Sequence, residues 1–207
     1  MEIQYYGGNC LKISTKKANI VVDDTLNSLG LISVTKEDDI AIFTSVSDKP
    51  TKARLSIDHP GEYEVSDISV QGIAARSHMD EESKSSATIF RVIADDMRIV
   101  ITGHIHPDLT DDELEAIGTI DVLIIPIGGN GYTLDGAGAL KVIRKIEPNV
   151  VIPTHYADKK IKYPVEQQDL ETALKGLAME PKETVAKLKL KPADLTENTQ
   201  LIVLERQ

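Results

Sequence analysis

Five histidines are the residues of this sequence best suited to chemistry. Three of them follow apolar stretches that read as strands: His78 follows residues 73–77, His104 follows 99–103 and His155 follows 150–154. Loops at the ends of strands are where binding and catalytic sites are usually built, and neutral imidazole is the commonest metal ligand in proteins. Exposed loop histidines are the simpler interpretation, and the residue types alone favour it over a metal site.

Two further histidines and one acidic residue carry weaker signals. His106 forms a His-x-His pair with His104, but on an extended segment the two rings face opposite ways, which favours a turn or solvent position. His59 precedes Pro60 and Gly61 and is more often structural in such a turn. Asp80 follows His78 in an acidic run that favours a solvated loop and leaves a ligand role open.

The elements that must position these histidines change character along the chain. Short β-prone stretches separated by turn residues predict hairpins in the first half, and helices alternate with strands after Gly103. The predicted strands are residues 2–6, 11–14, 19–23, 40–44, 62–65, 68–73, 86–93, 97–101, 122–126, 150–153, 187–190 and 201–205, and the predicted helices are 111–117, 135–147 and 164–179. Thr110 and Glu113 form a capping-box pattern for the first helix, and Pro164 suits the first turn of the last. We therefore predict a single α+β domain over residues 1–207, a four-layer αββα sandwich.

Composition and charge limit the kinds of partner and the cellular compartment that we expect for this protein. The net charge of −10 repels phosphate backbones, so no nucleic acid is expected as a partner. The longest apolar runs, such as 122–127, are too short to span a bilayer, and the N-terminus shows no signal-peptide pattern. The single cysteine, Cys10, rules out an internal disulfide and favours a reducing compartment, so we expect a cytoplasmic protein. Antiparallel sheets with exposed edges leave homo-oligomerisation open.

Five stretches together resemble the small prokaryotic Zn-dependent hydrolases of the metallo-β-lactamase fold. They are YYGGNCLKI at 5–13, VVDD at 21–24, PGEYE at 60–64, VLIIPIGGN at 122–130 and PNVVIPTHY at 148–156. The resemblance covers nearly the whole chain in order and spacing. It implies the same αββα sandwich and, for an intact member, a two-metal hydrolase site.

The hallmark His-x-His-x-Asp-His motif of that family is absent. The resemblance places its position after Thr44, where Ser45 and Ser47 replace the leading histidines and Lys49 replaces the aspartate. Pro50 replaces the last histidine, and Asp48 falls at a position that is not a ligand. A two-metal hydrolase needs anionic and imidazole ligands that clamp two ions. We therefore expect this cleft, with Ser45, Ser47, Asp48 and Lys49 on its wall, to lack two-metal activity.

Three later ligand positions of the family retain histidines. His78 and His155 match its later histidines, whereas His104 stands where the family has a bridging aspartate after glycine. These three residual metal ligands predict either no metal or one Zn²⁺, because three-histidine sites with an open fourth position can activate water. Two functions stay open: a single-zinc hydrolase, and a non-catalytic relative that uses the cleft for binding or assembly.

Overall fold

The protein is built from two β-sheets and three α-helices in a computed structural model that describes residues 1–45 and 52–207. The strands are β1 Glu2–Gly7, β2 Cys10–Ser14, β3 Asn19–Val22, β4 Ile40–Ile42, β5 Leu55–Ile57, β6 Gly61–Val65, β7 Ile68–Ala75, β8 Ala87–Ala94, β9 Met97–Ile101, β10 Val122–Pro126, β11 Val150–Thr154, β12 Pro181–Val185, β13 Leu188–Lys189 and β14 Gln200–Leu204. The helices are α1 Asp111–Ile117, α2 Gly136–Ile146 and α3 Leu170–Leu177. One sheet has the order β13-β1-β2-β3-β4-β5, and the other β12-β14-β11-β10-β9-β8-β7-β6.

The main core lies between the two sheets and follows from the alternation of side chains along each strand. In β1, Ile3 and Tyr5 are buried while their neighbours are half-buried, as the two-residue period of a strand requires. The same alternation puts Leu11 and Ile13 of β2 into this core, opposite Phe90 and Val92 of β8. With two phenylalanines and no tryptophan in the chain, branched aliphatic side chains fill most of the layer.

A second core lies under the three helices, on the outer face of the eight-stranded sheet. Ile117 of α1, Val142 of α2 and Leu177 of α3 pack with apolar residues from strands that include β9, β10 and β11. The outer face of the six-stranded sheet carries a smaller cluster of Cys10, Val21 and Leu26. Within the described residues this fourth layer is a 3-10 helix at Leu26–Leu29 and the chain after it. The predicted α+β sandwich is confirmed, with all three described α-helices on one side.

Local signals predicted several elements accurately. Helix α1 spans the predicted residues, and Thr110 and Glu113 form the expected reciprocal cap. The hairpin between β8 and β9 turns at Asp95 and Asp96, both in the left-handed region, as a two-residue turn requires.

The predicted start of the last helix was wrong. The helix begins at Leu170 after Asp169, whose carboxylate accepts a hydrogen bond from the Thr172 amide, so Pro164 is not in its first turn. The preceding segment instead bonds to distant backbone: the Gln168 amide donates to Gly128 O, and Gln168 O accepts from the Ala157 amide. Strands β5 and β12 were not predicted.

The carboxyl ends of the parallel strands of both sheets meet at one edge of the sandwich. Strand β10 pairs in parallel with β9 and β11, and β3 pairs in parallel with β4. The two sheets are joined there, because the Thr88 amide donates to Thr44 O and Ser45 bridges to Ala87. Loops that follow β3, β4, β9, β10 and β11 therefore surround a common space.

No helix of the described ranges 1–45 and 52–207 has the length and apolar character needed to cross a bilayer.

Gly103 sets how closely the end of β9 approaches the end of β4. Its φ is +58°, and a Cβ atom at this position would lie 2.1 Å from the Thr44 Oγ1 atom. Both the backbone conformation and the contact exclude a side chain. Gly131 has a similar φ of +72°, but a Cβ there would meet nothing within 4 Å.

These two glycines give a matched test of the approach between the sheets. We expect Gly131→Ala to cost about 1–2 kcal/mol of unfolding free energy, the usual penalty for a left-handed alanine. Gly103→Ala adds a steric clash in a packed region, so we expect a loss of about 3 kcal/mol or more. Urea denaturation of the two variants measures the difference, and equal losses would contradict the role assigned to the Thr44 contact.

Candidate functional site

A cavity of about 780 Å³ opens at the edge where the carboxyl ends of the parallel strands meet. Both sheets contribute to its wall, through the loops after β1, β3, β4, β7, β9, β10 and β11. Its lining residues are Asn9, Asp23, Thr25, Ser28, Leu29, Ser45, Ser77, Met79, His104, Tyr132, His155, Lys162 and Pro164. The wall thus combines imidazole, phenol, amide, hydroxyl and carboxylate groups with a few apolar side chains.

Asp23 supplies the one carboxylate among the described residues of this wall. It follows β3 with a φ of +43°, and its two oxygens accept hydrogen bonds from Thr44, one from the amide at 2.7 Å and one from the hydroxyl at 2.6 Å. Burial raises the pKa of Asp23 to about 6, against the lowering effect of the two Thr44 bonds. Asp23 has no ion-pair partner among the described residues, so the described groups stabilise its charge by hydrogen bonds alone.

His104 lies three residues beyond the end of β9 and packs against an aromatic ring. Its Nδ1 atom is 3.4 Å from Tyr132 O, and its ring meets the Tyr132 ring edge-on with centroids 4.8 Å apart. Burial lowers the pKa of His104 to about 4, although the Tyr132 contact acts in the opposite direction. The ring is therefore neutral at pH 7.

His155 follows β11 directly and completes an imidazole pair with His104. Its φ is +56°, and the two imidazole rings are edge-on with centroids 4.6 Å apart. Its Nδ1 atom lies 3.1 Å from Gln167 Oε1. Burial, followed by the neighbouring His104, lowers the pKa of His155 to about 3. Both imidazoles of the pair are thus uncharged over the physiological range.

The neighbours of the two rings fix the same tautomer in each. Tyr132 O can only accept, so His104 carries its proton on Nδ1. The amide nitrogen of Gln167 donates to Val165 O at 2.7 Å, which turns the amide oxygen toward His155, so His155 also donates from Nδ1. Neither Nε2 atom has a hydrogen-bond partner among the described residues. The site therefore presents two unprotonated imidazole nitrogens without protein partners.

Only part of the predicted site is brought together. Ser45, His104 and His155 line the cavity. His78 does not, although its neighbours Ser77 and Met79 do. The centroids of the His78 and His106 rings are 6.3 Å apart. The His78 amide donates to His104 O, so the loop is at the expected edge while its imidazole is not on the cavity wall. Ser47, Asp48 and Lys49 lie outside the described residues.

Three residues with weaker signals have structural roles. Asp80 accepts hydrogen bonds from the amides of Ser77 and Ser86 and closes the loop after β7. His106 accepts from the Asp108 amide at 3.2 Å, and the exposed His59 pairs with its neighbour Asp58.

The donor set does not fit a two-metal centre. Within residues 1–45 and 52–207, no group of three or more His, Cys, Asp or Glu side chains could hold a metal ion. Two neutral imidazoles face the cavity, and the nearest candidate anion, Asp23, is bonded through both oxygens to Thr44. Two ions need several anionic ligands and a bridging group, and the part of the wall that the structure describes supplies neither.

Sequence reasoning missed two residues that shape the site. Gln167, buried and bonded to His155, fell inside the segment predicted as helix. Asn9 accepts from the Thr154 hydroxyl at 2.9 Å, a contact 145 residues apart in the chain. Gly128 gave a signal that could have been used, since a Cβ there would lie 2.0 Å from His155 O and 2.2 Å from Gln167 Oε1. The two consecutive glycines that begin at this position, after an apolar strand, indicate a close approach of the backbone to other groups.

The depressed histidine pKa values predict an acid-sensitive fold. Between about pH 6.5 and 3 the unfolded chain takes up protons that folded His104 and His155 exclude, so stability falls as the pH falls. Folded Asp23 acts oppositely between about pH 6 and 3.8, because it keeps a proton that the unfolded chain releases. The two histidines outweigh the one carboxyl, and we expect a net loss on the order of a few kcal/mol from pH 6.5 to 4.

Urea denaturation at a series of pH values measures this slope. His155→Asn removes one depressed group while keeping a residue that tolerates a positive φ, and it should flatten the acid branch. The matched control is His59→Asn, at an exposed histidine outside the cavity. If both variants keep the slope of the parent chain, burial of His155 is not its cause.

Comparisons with known proteins agree with this architecture. The sequence model of the β-lactamase superfamily domain matches residues 2–155. A proposed Zn-dependent hydrolase of the metallo-β-lactamase superfamily from Thermotoga maritima superposes with a TM-score of 0.78 and 23% identity, covering 99% of each chain.

Two curated relatives carry the same family group in their names. A UPF0173 protein of Pyrococcus abyssi is 24% identical over 184 residues, which cover 75% of this chain and 83% of the relative. A UPF0173 metal-dependent hydrolase of Thermoplasma acidophilum is 43% identical over 47 residues, covering 21% of this chain and 20% of that protein. From the match over residues 2–155, the chain belongs to the β-lactamase superfamily domain family, and it has the metallo-β-lactamase fold.

Proposed function

We propose that this chain is a metallo-β-lactamase-fold protein that has lost two-metal hydrolase activity and uses the cavity at its sheet edge to bind a ligand. The observation that carries the proposal is the donor set of the wall: two neutral imidazoles and one carboxylate already bonded to Thr44. Metal-dependent hydrolysis is named for the Thermoplasma acidophilum relative. The residues that such chemistry needs are replaced here.

The sequence of the missing motif supports the same conclusion. Ser45 and Ser47 stand at histidine positions of the family motif, and Lys49 stands at its aspartate position. A serine hydroxyl is a weak ligand for Zn²⁺, which binds Cys, His, Asp and Glu. A lysine ammonium is not among the usual ligands of Zn²⁺ either.

The cavity remains suitable for binding without catalysis. Its volume of about 780 Å³ is within the usual range of small-molecule sites. Polar groups converge in it, and they are positioned by hydrogen bonds with Thr44, Thr154 and Gln167. A ligand would therefore meet a wall that is already arranged.

A single-zinc hydrolase is the second candidate, and one observation favours it. His104 and His155 each hold Nδ1–H against an oxygen and leave Nε2 without a partner, as metal-bound histidines commonly do. Against it, the His78 ring contacts His106, so the third histidine of that site is not on the wall. Two imidazoles alone are fewer protein ligands than catalytic zinc sites use.

Metal analysis separates the two functions. For protein purified without chelator we expect zinc well below one equivalent, and EDTA should change the melting temperature by less than about 1 °C, because nothing bound is removed. A tightly bound structural zinc would instead contribute about 4 kcal/mol at a thousandfold excess over its Kd, so chelation would lower the melting temperature by roughly 10 °C.

A zinc titration by calorimetry completes the test. The parent chain, His155→Ala and the exposed-site control His59→Ala should give the same weak or absent heat. One equivalent of zinc bound by the parent chain and by His59→Ala, but lost in His155→Ala, would establish the single-zinc site and overturn the proposal.

A further inference from the structure

The described cavity wall contains a buried carboxylate. Asp23 is buried, lines the cavity and has no ion-pair partner among the described residues. Burying a charge is costly unless a counter-charge or hydrogen bonds offset it, and here Thr44 supplies two hydrogen bonds but no counter-charge. A cation that entered the cavity would supply what the protein lacks.

The imidazole pair adds two acceptors to the same wall. With Nδ1 protonated, the Nε2 atoms of His104 and His155 are lone pairs, and neither has a partner among the described residues. A lone pair takes a hydrogen-bond donor and repels a carboxylate or phosphate oxygen. The wall is therefore complementary to a group rich in N–H donors.

An aromatic ring stands beside these acceptors. Tyr132 lines the cavity, with its ring centroid 4.8 Å from that of His104 and 5.8 Å from that of His155. The face of a phenol ring attracts a cation within about 6 Å. Charge, acceptors and ring thus favour the same kind of ligand.

We propose that the cavity binds an organic cation with N–H donors, an ammonium or guanidinium group, which donates to Nε2 of His104 and His155 and neutralises Asp23. This inference rests on the proposed function, because a zinc ion on the same two nitrogens would exclude the ligand. Met79, which lines the cavity and is 70% exposed, contacts the apolar part of the molecule.

Two lining groups favour an anion, and neither outweighs the buried carboxylate. Lys162 is exposed, so water screens its charge. Asn9 uses its amide oxygen for the Thr154 hydroxyl and leaves its amide nitrogen as a donor, which suits an acceptor elsewhere on the ligand. The charge that lies deep in the wall belongs to Asp23, where low polarity strengthens its attraction for a cation.

Three ligands with the same four-carbon chain test the charge preference. n-Butylammonium, n-butanol and butyrate are titrated into metal-free protein at pH 7.5 while the imidazole resonances of His104 and His155 are followed by NMR. We expect saturable shifts of both residues with n-butylammonium, in the millimolar range for so small a molecule, at least about tenfold weaker binding of n-butanol and no saturable shift with butyrate. Equal binding of the three, tighter binding of butyrate, or no response to n-butylammonium would overturn the proposal.

Asp23→Asn tests the carboxylate with little change of shape. An asparagine oxygen can still accept from the Thr44 amide while its nitrogen donates to the Thr44 hydroxyl. Affinity for n-butylammonium should fall about tenfold, with n-butanol within about twofold of the parent value. An unchanged n-butylammonium affinity would refute the role of the charge.

Lys162→Met keeps the test decisive if Asp23→Asn does not fold. The side chain is exposed, and its loss removes the one positive charge of the described wall. We expect n-butylammonium to bind about two- to threefold more tightly, and tighter binding of butyrate would contradict the proposal. His59→Asn is the control and should match the parent chain in all three titrations.

Zinc analysis of the same sample distinguishes the two proposals. If zinc occupies the histidine pair, the proposed metal-independent function fails. If the protein is metal-free and n-butylammonium does not bind, the cation proposal fails alone.

Discussion

The hydrogen-bonded pair of Asp23 and Thr44 is the constraint on which the functional edge of this protein depends. Asp23 follows β3 and Thr44 follows β4, so their two bonds hold together the carboxyl ends of neighbouring strands. The Thr44 carbonyl accepts from the Thr88 amide of the other sheet, and Gly103 packs against the Thr44 side chain. One threonine thereby sets the spacing between both sheets at the mouth of the cavity, and with it the position of His104.

Burial of this edge then decides the charge states of the groups that face the cavity. The same loss of water raises the pKa of Asp23 to about 6 and lowers the pKa of His104 to about 4 and of His155 to about 3. In each case burial favours the neutral form of the side chain, since desolvation penalises a charge of either sign. At pH 7 the carboxylate is still mostly ionised while both imidazoles are neutral. The buried groups of the described wall are consequently one carboxylate and two neutral imidazoles with unprotonated Nε2 atoms, all of which accept hydrogen bonds.

The sequence could predict what is local and could not predict what depends on distant partners. Helix α1 followed from its cap at Thr110, and the sandwich from alternating apolar residues, because these signals lie within a few residues. Strand ends predicted the positions of His104 and His155. The His78 ring lies beside His106 because backbone hydrogen bonds join their two loops, which are distant in sequence. Gln167 is recruited by a hydrogen bond with His155 that no local pattern encodes.

Hydrogen bonds between protein groups support the wall of the cavity. Asn9 is held by the Thr154 hydroxyl, His155 by Gln167 and its own amide bond to Gly8 O, and Asp23 by Thr44. In a wall of clustered anionic ligands, mutual repulsion would make such support depend on the bound ions. The described part of this wall holds one carboxylate, and Thr44 donates two hydrogen bonds to it, so no carboxylate pair among the described lining residues repels. The described wall is therefore a preformed polar pocket, and preformed polar pockets bind small ligands with little reorganisation cost.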